Sequence, residues 1–241
     1  VKDVNDIGSP DIIIIPGTKG TINDLKFIKD NGMADVIIDK ANNGCMVIGI
    51  CGGYQMLGKE IRDPLRVESN EDRISGLGLI NAITDFAPEK VTHQSRAKIM
   101  PGSLPFEVNR ELTGYEIHMG TTKLLDFADN GHNCIYDTGT KISMFLKIVK
   151  RSSKNVDIND GISIFSKNRF IIGSYLHGIF DNDDFRSGLI RYLVNRNGKQ
   201  PVAATAGINS LNEKEEGYKR LEKIVRESLD MDRIYKILNK K

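Results

Sequence analysis

Of the three cysteines in this chain, Cys51 has surroundings suited to nucleophilic chemistry. It stands in Gly49-Ile50-Cys51-Gly52-Gly53-Tyr54-Gln55, after the apolar run 45–50 and before a helix-forming stretch. A nucleophile between a buried strand and a helix sits on a sharp turn, which exposes its side chain above the sheet edge. Gly49, Gly52 and Gly53 remove the β-carbons that would clash in such a turn. The helix N-terminus beyond it favours a thiolate, so a lowered Cys51 pKa is expected. The N–H of Gly52 is a candidate oxyanion donor. A lone buried cysteine is usually core; the glycine setting argues otherwise here. Cys45 and Cys134 lack that setting and read as inert thiols.

A thiolate that performs acyl transfer needs a base. His177, in Gly173-Ser174-Tyr175-Leu176-His177-Gly178-Ile179-Phe180, ends an apolar strand. Sites of this kind gather at the C-terminal edge of a parallel sheet, where His177 can meet Cys51. His118, in Gly114-Tyr115-Glu116-Ile117-His118-Met119-Gly120, reads either as a pocket wall or as a satisfied strand-end residue. His132 reads as a solvated turn residue beside Asn130-Gly131, and His93 has no assigned place. Pro16-Gly17-Thr18-Lys19-Gly20 closes the first strand, and the N–H of Gly17 or Thr18 is the candidate second oxyanion donor. The scheme requires a reachable sulfur with an imidazole beside it.

The elements that position these residues follow from pattern. Ile12-Ile13-Ile14-Ile15 reads as a fully buried parallel strand. Thr21-Ile22-Asn23-Asp24 resembles a capping box opening a helix with Leu25, Ile28 and Met33 inward. A second helix spans about 34–41 and ends at Asn42-Asn43-Gly44. Residues 45–50 form the next buried strand. Strand, helix, strand, turn, helix predicts a doubly wound, mostly parallel α/β sheet flanked by helices. Residues 73–172 change to alternating runs, at 90–100, 114–118, 141–149 and 161–165, which predict antiparallel hairpin additions. Asp129-Asn130-Gly131 and Asn159-Asp160-Gly161 read as turns between them. Residues 170–176 return to a buried strand, and 183–195 predict a helix with Phe185, Leu189, Tyr192 and Leu193 on one face. The expected organisation is a domain at 1–197, then a linker near 198–212 and a charged helical segment to 241, broken near Asp230.

Composition narrows the function classes. With 34 Lys and Arg against 32 Asp and Glu, the net charge is +2, and the basic residues are scattered. That balance predicts neither a nucleic-acid binder nor a membrane-surface binder. The odd cysteine count without a CxxC pair excludes a disulfide scaffold and argues against a zinc site, so no metal is expected. Reduced thiols, a polar start and no apolar run near the ~20 residues of a membrane span point to the cytoplasm. The chain does not begin with Met and its first strong element comes at once, as in a piece of a longer polypeptide. The segment from Gly53 to Glu60 nearly matches a phosphate-binding loop. It lacks the magnesium-holding Ser or Thr, and its centre is apolar and helical, so no ATP site is read there.

Together, Pro10–Lys19 with Thr21 and Asp24-Leu25, then 49–57, Gly76-Leu77-Gly78-Leu79, 114–120 and 175–180 make the chain resemble the class I glutamine amidotransferases of corrinoid biosynthesis. The resemblance covers about 10–193. It implies that Cys51 attacks the side-chain amide of glutamine, that His177 moves the proton, and that Gln55 contacts substrate. It also implies that ammonia passes to a synthetase domain, N-terminal and absent here, that uses ATP and magnesium to activate corrinoid carboxylates. The first strand of the glutaminase sheet is then expected to be absent as well. One departure stands out. Most class I enzymes carry Glu two residues after the histidine, and here that place is Ile179. A Cys–His dyad is therefore expected, with Asp181, Glu116 and His118 left open as the group orienting His177. The cobyrinate a,c-diamide-forming enzymes are the nearest rivals, disfavoured by Gly17-Thr18-Lys19 and by 114–120, with a peptidoglycan-amidating glutaminase more distant. A different cysteine hydrolase on this scaffold, or a docking domain that has kept the fold, are the readings from other classes.

Overall fold

The computed structural model describes residues 1–125, 134–137, 139–198 and 210–239. The chain divides into two compact units, Val1–Ile179 and Phe180–Lys241. The sequence boundary at 197 falls inside the second unit, just after its first helix.

In the first unit, strand β1 (Ile12–Ile15) leads to helices α1 (Thr21–Asp30) and α2 (Met33–Asn42), then to β2 (Met46–Ile50) and the short helix α3 (Gly52–Leu57). Strands β3 (Glu60–Arg62), β4 (Arg73–Ser75), β5 (Ala82–Ile99), β6 (Glu111–Leu124), β7 (Cys134–Asp137), β8 (Thr140–Arg151), β9 (Lys154–Phe165), β10 (Phe170–Ser174) and β11 (Leu176–His177) follow. All eleven described strands belong to one sheet, with the path β1-β2-β10-β9-β8-β5-β3-β4; β6 pairs with β5 and β11, and β7 with β8.

The mixed α/β architecture agrees with the sequence reading, but the balance of pairing does not. Only β1 with β2, β2 with β10 and β3 with β5 run parallel; the remaining described pairs are antiparallel. The expected hairpin additions are long strands such as Ala82–Ile99 and Glu111–Leu124, and they make up most of the sheet. The parallel trio remains the part that positions the site.

Three local expectations are corrected. The isoleucine run of β1 is not fully buried: Ile15 is buried but Ile14 is 45% exposed, on a strand at the end of the described sheet path. The helix cap is shifted. Gly20 is the N-cap of α1, and Thr18, not Thr21, donates its hydroxyl to the Asp24 carboxylate. Asn159-Asp160-Gly161 is no turn but the middle of β9, where Gly161 takes φ +71. A β-carbon on Gly161 would lie 2.1 Å from the Gly173 carbonyl oxygen, so the glycine serves a close approach between strands.

The core of the first unit joins α1, α2 and α3 to the sheet through Ile22, Leu25, Ile37, Val47, Leu57, Ile162 and Ile171 among others. Burying each such side chain contributes about 1.5–3 kcal/mol. In the second unit, α4 (Asp183–Arg196) buries Phe185, Leu189 and Leu193 of the predicted face, while Tyr192 is only half-buried. Helices α5 (Ser210–Ser228) and α6 (Met231–Leu238) are separated at Asp230, whose carboxylate caps α6 by accepting from Arg233 N at 2.9 Å. The turn at Asp129-Asn130-Gly131, His132 and most of the expected linker lie outside the described residues. No described helix is long and apolar enough to cross a membrane.

Candidate active site

Cys51 occupies the corner between β2 and α3 with φ 53 and ψ −111, a conformation that L side chains rarely adopt. Such backbone costs on the order of 1–3 kcal/mol and persists only where neighbours hold it. The neighbours are specific. Cys51 N donates to Ser174 O at 2.9 Å, and Gln55 N closes the first helical turn on Cys51 O at 3.0 Å. Gly53 lets α3 press onto β1, since a β-carbon there would lie 2.0 Å from the Ile15 carbonyl oxygen.

The same packing brings the predicted partners together. A β-carbon on Gly17 would stand 2.8 Å from His177 Cε1 and 3.3 Å from Cys51 Cβ. One on Gly52 would stand 3.3 Å from Thr18 N. Cys51 Cβ and His177 Cε1 thus lie against Gly17, and Gly52 lies against Thr18, at the ends of β1, β2 and β10–β11. Of the two candidates for the second oxyanion donor, Thr18 N is the one beside Gly52.

Exposure is where the sequence reading fails. Cys51 is 6% exposed, and its Sγ donates to the Ile117 carbonyl at 3.3 Å. The sharp turn is present, but the backbone of β6 covers the sulfur. Burial also runs against the expected low thiol pKa. Burial pushes Cys51 up to about 11; the Gly52 N–H pulls downward, and the charges of Glu68 and Asp160 add to the rise. Desolvation outweighs the Gly52 N–H at the start of the six-residue α3.

His177 ends β11 and is partly buried. Burial holds its pKa below the ordinary histidine value, against a smaller opposing pull from the Ile117 carbonyl. Its buried Nε2 makes no hydrogen bond among the described residues. The strand leading to it is pinned by Asp160, which accepts from Ser174 Oγ at 2.6 Å and from Tyr175 N at 3.2 Å. Burial raises the Asp160 pKa to about 6.

The three groups left open as partners of His177 have other engagements. Glu116 accepts from Arg151 Nε at 2.9 Å and Nη2 at 2.6 Å and from Ser95 Oγ at 2.6 Å. Burial alone would raise its pKa, but Arg151 and Ser95 hold it below the usual carboxylate value. Asp181, in the second unit, pairs with Lys214 at 2.5 Å. His118 places Nδ1 3.2 Å from the Gly120 carbonyl and stacks on Tyr175 with ring centres 3.9 Å apart. It lines a cavity of about 230 Å³ together with Tyr175, Glu116 and Asp160.

Gln55, the expected substrate contact, is 2% exposed. Its amide donates to Met119 O at 3.0 Å and to Tyr175 Oη at 3.3 Å, and accepts from Thr21 Oγ1 at 3.3 Å. In this arrangement it ties α3 to β6 beneath the cysteine. Sequence reasoning missed Ile117, Asp160 and Glu68. A glutamate after a charged loop and an aspartate in a turn-like triplet gave no local signal of proximity to Cys51. Among the described residues, no cluster of His, Cys, Asp and Glu could hold a metal ion.

The chain matches the CobB/CobQ-like glutamine amidotransferase domain over residues 1–185. The cobyric acid synthase of Alkaliphilus metalliredigens (strain QYMF) is 43% identical over 236 residues, covering 96% of this chain and 43% of that protein. The cobyric acid synthase of Caldanaerobacter subterraneus subsp. tengcongensis is 38% identical over 237 residues, covering 97% of this chain and 43% of its own length. The chain therefore spans less than half the length of these curated relatives. A solved glutamine amidotransferase structure superposes with a TM-score of 0.49 at 15% identity, over 82% of this chain and 85% of that one.

Proposed function

The chain belongs to the CobB/CobQ-like glutamine amidotransferase family, and from that premise we propose that it hydrolyses glutamine through Cys51 and His177 to supply the ammonia used by a cobyric acid synthase. The supporting observation is the approach of Cys51 Cβ and His177 Cε1 to the space that a β-carbon on Gly17 would fill.

Burial pushes the thiol pKa up to about 11 and holds the imidazole pKa below its ordinary value. In this reading His177 acts as a general base on the thiol. Glutamine enters by taking the place of the Ile117 carbonyl at Sγ. As Sγ attacks the side-chain amide, His177 takes the thiol proton. The oxyanion is received by the N–H groups of Gly52 and Thr18. His177 then gives its proton to the departing nitrogen, which leaves as ammonia while the glutamyl group stays on sulfur. Water, activated by the same imidazole, hydrolyses the thioester to glutamate and restores the thiol. Gln55 keeps α3 and β6 in register beneath the pair, and His118 stacks on the Tyr175 ring above it.

In this reading the ammonia goes to a synthetase domain of the same polypeptide, which uses ATP and magnesium to activate corrinoid carboxylates. The product is adenosylcobyrate, formed from adenosyl-cobyrinate a,c-diamide by amidation of the b, d, e and g groups. The test is glutamate release from glutamine by this chain. Slow hydrolysis that disappears in Cys51→Ala supports the proposal; hydrolysis that survives Cys51→Ala removes it.

A further inference from the structure

A general base works only if its ring is held in the right plane. The terminal torsion of histidine is broad, so the backbone alone does not fix that plane. In many sites a carboxylate fixes it through a hydrogen bond, but here the nearby acids are engaged elsewhere. Glu116 is taken by Arg151 and Ser95, Asp160 by Ser174 and the Tyr175 amide. The buried Nε2 of His177 has no hydrogen-bond partner among the described residues.

Besides the Ile117 carbonyl, which engages the ring, the imidazole lies flat on an aromatic ring. The rings of Tyr115 and His177 are 5.0 Å apart, centre to centre, with 4° between their planes. The two residues are direct cross-strand partners in the pairing of β11 with β6. Gly114, one residue earlier, permits that pairing: a β-carbon there would stand 2.2 Å from the His177 carbonyl oxygen. Tyr115 is 44% exposed, so its burial in the core does not explain its presence.

We propose that Tyr115 is a positioning residue for this reaction, its ring face holding the imidazole of His177 in the plane that serves Cys51. The assignment rests on the reading of Cys51 and His177 as the reacting pair. The stack adds to the hold of the Ile117 carbonyl on the ring without taking a further ring nitrogen, so Nε2 stays available for proton transfer. The phenol oxygen has no part in this role; the planar face has all of it.

The experiment compares Tyr115→Phe, which keeps the face, with Tyr115→Leu and Tyr115→Thr, which remove it while keeping a strand-compatible side chain. Two rates are read in the full chain: glutamine turnover, and alkylation of Cys51 by iodoacetamide at pH 7.5. The phenylalanine variant should stay within about threefold of the parent in both. The leucine and threonine variants should lose about tenfold in kcat with glutamine KM within about threefold, and alkylate Cys51 about tenfold more slowly. Equal losses in the phenylalanine and leucine variants, or no loss in any, would overturn the assignment, as would a loss that merely follows a fall in melting temperature. A parent that alkylates Cys51 in this Tyr115-dependent way but never hydrolyses glutamine would uphold the stack and sink the glutaminase reading.

Discussion

Cys51 and His177 flank one α-carbon, that of Gly17, with so little room that a β-carbon there would stand 3.3 Å from Cys51 Cβ and 2.8 Å from His177 Cε1. Gly17 thus lies close beside both nucleophile and base, where a side chain has no room. The closer of the two approaches is to the far end of a side chain, so a substituted chain can relieve it by swinging the imidazole aside.

Gly17→Ala is therefore expected to fold and to lose its reaction. Displacing a reacting group by about 1 Å costs on the order of a hundredfold in rate. Turnover of glutamine should fall by about that factor while the thermal unfolding midpoint stays within a few degrees. Full activity in this variant would show that His177 does not work from its observed position.

The pH profile carries a second expectation. Burial holds the His177 pKa below its ordinary value and pushes Cys51 up to about 11. The base must be unprotonated to act, so the acidic limb of kcat/KM should lie below pH ~6.5, the free histidine value. No alkaline limb from the thiol should intervene below about pH 10. A profile rising near pH 8.5, the value of an ordinary cysteine, would mean that a free thiolate is the starting species.

Asp160 gives a stability prediction. Its pKa is raised from 3.8 to about 6, so the folded chain favours its protonated form. For a raised pKa, the stabilising contribution is complete below the unfolded value and is lost as pH rises through the folded one. A shift of this size corresponds to roughly 3 kcal/mol. Denaturant unfolding should show stability declining between about pH 4 and 6 in the parent, relative to Asp160→Asn, which has no proton to lose. Parallel pH curves for the two proteins would contradict this.

How far the site was legible in sequence depends on how local each cause is. The Cys51 corner was legible because three glycines within five residues report directly on local backbone crowding. His177 was legible because an apolar strand ends at it, and Gly17 because a turn must close the strand before α1. The cover over the sulfur was not legible, because Ile117 reaches Cys51 only through the pairing of β6 with β11 and β5. The raised thiol pKa follows from that cover. Gln55 looked like a substrate ligand in its motif, and only the fold brings Thr21, Met119 and Tyr175 to its amide. Asn159-Asp160-Gly161 has the composition of a turn; tertiary pairing overrides it and uses Gly161 for close approach to Gly173. Ile14 shows the reverse error, since an unbroken isoleucine run carries no mark of which of its side chains is left uncovered.

The central claim is that the sulfur of Cys51, activated by His177, attacks the side-chain carbonyl of glutamine. The most direct measurement is covalent labelling by a glutamine analogue with an electrophile at the side-chain end, followed by mapping of the modified residue. The account predicts one adduct, on Cys51, protected by excess glutamine, absent in Cys51→Ala and slowed at least tenfold in His177→Asn. Labelling of Cys45 or Cys134 instead, or a rate on Cys51 indifferent to both glutamine and His177, would contradict it.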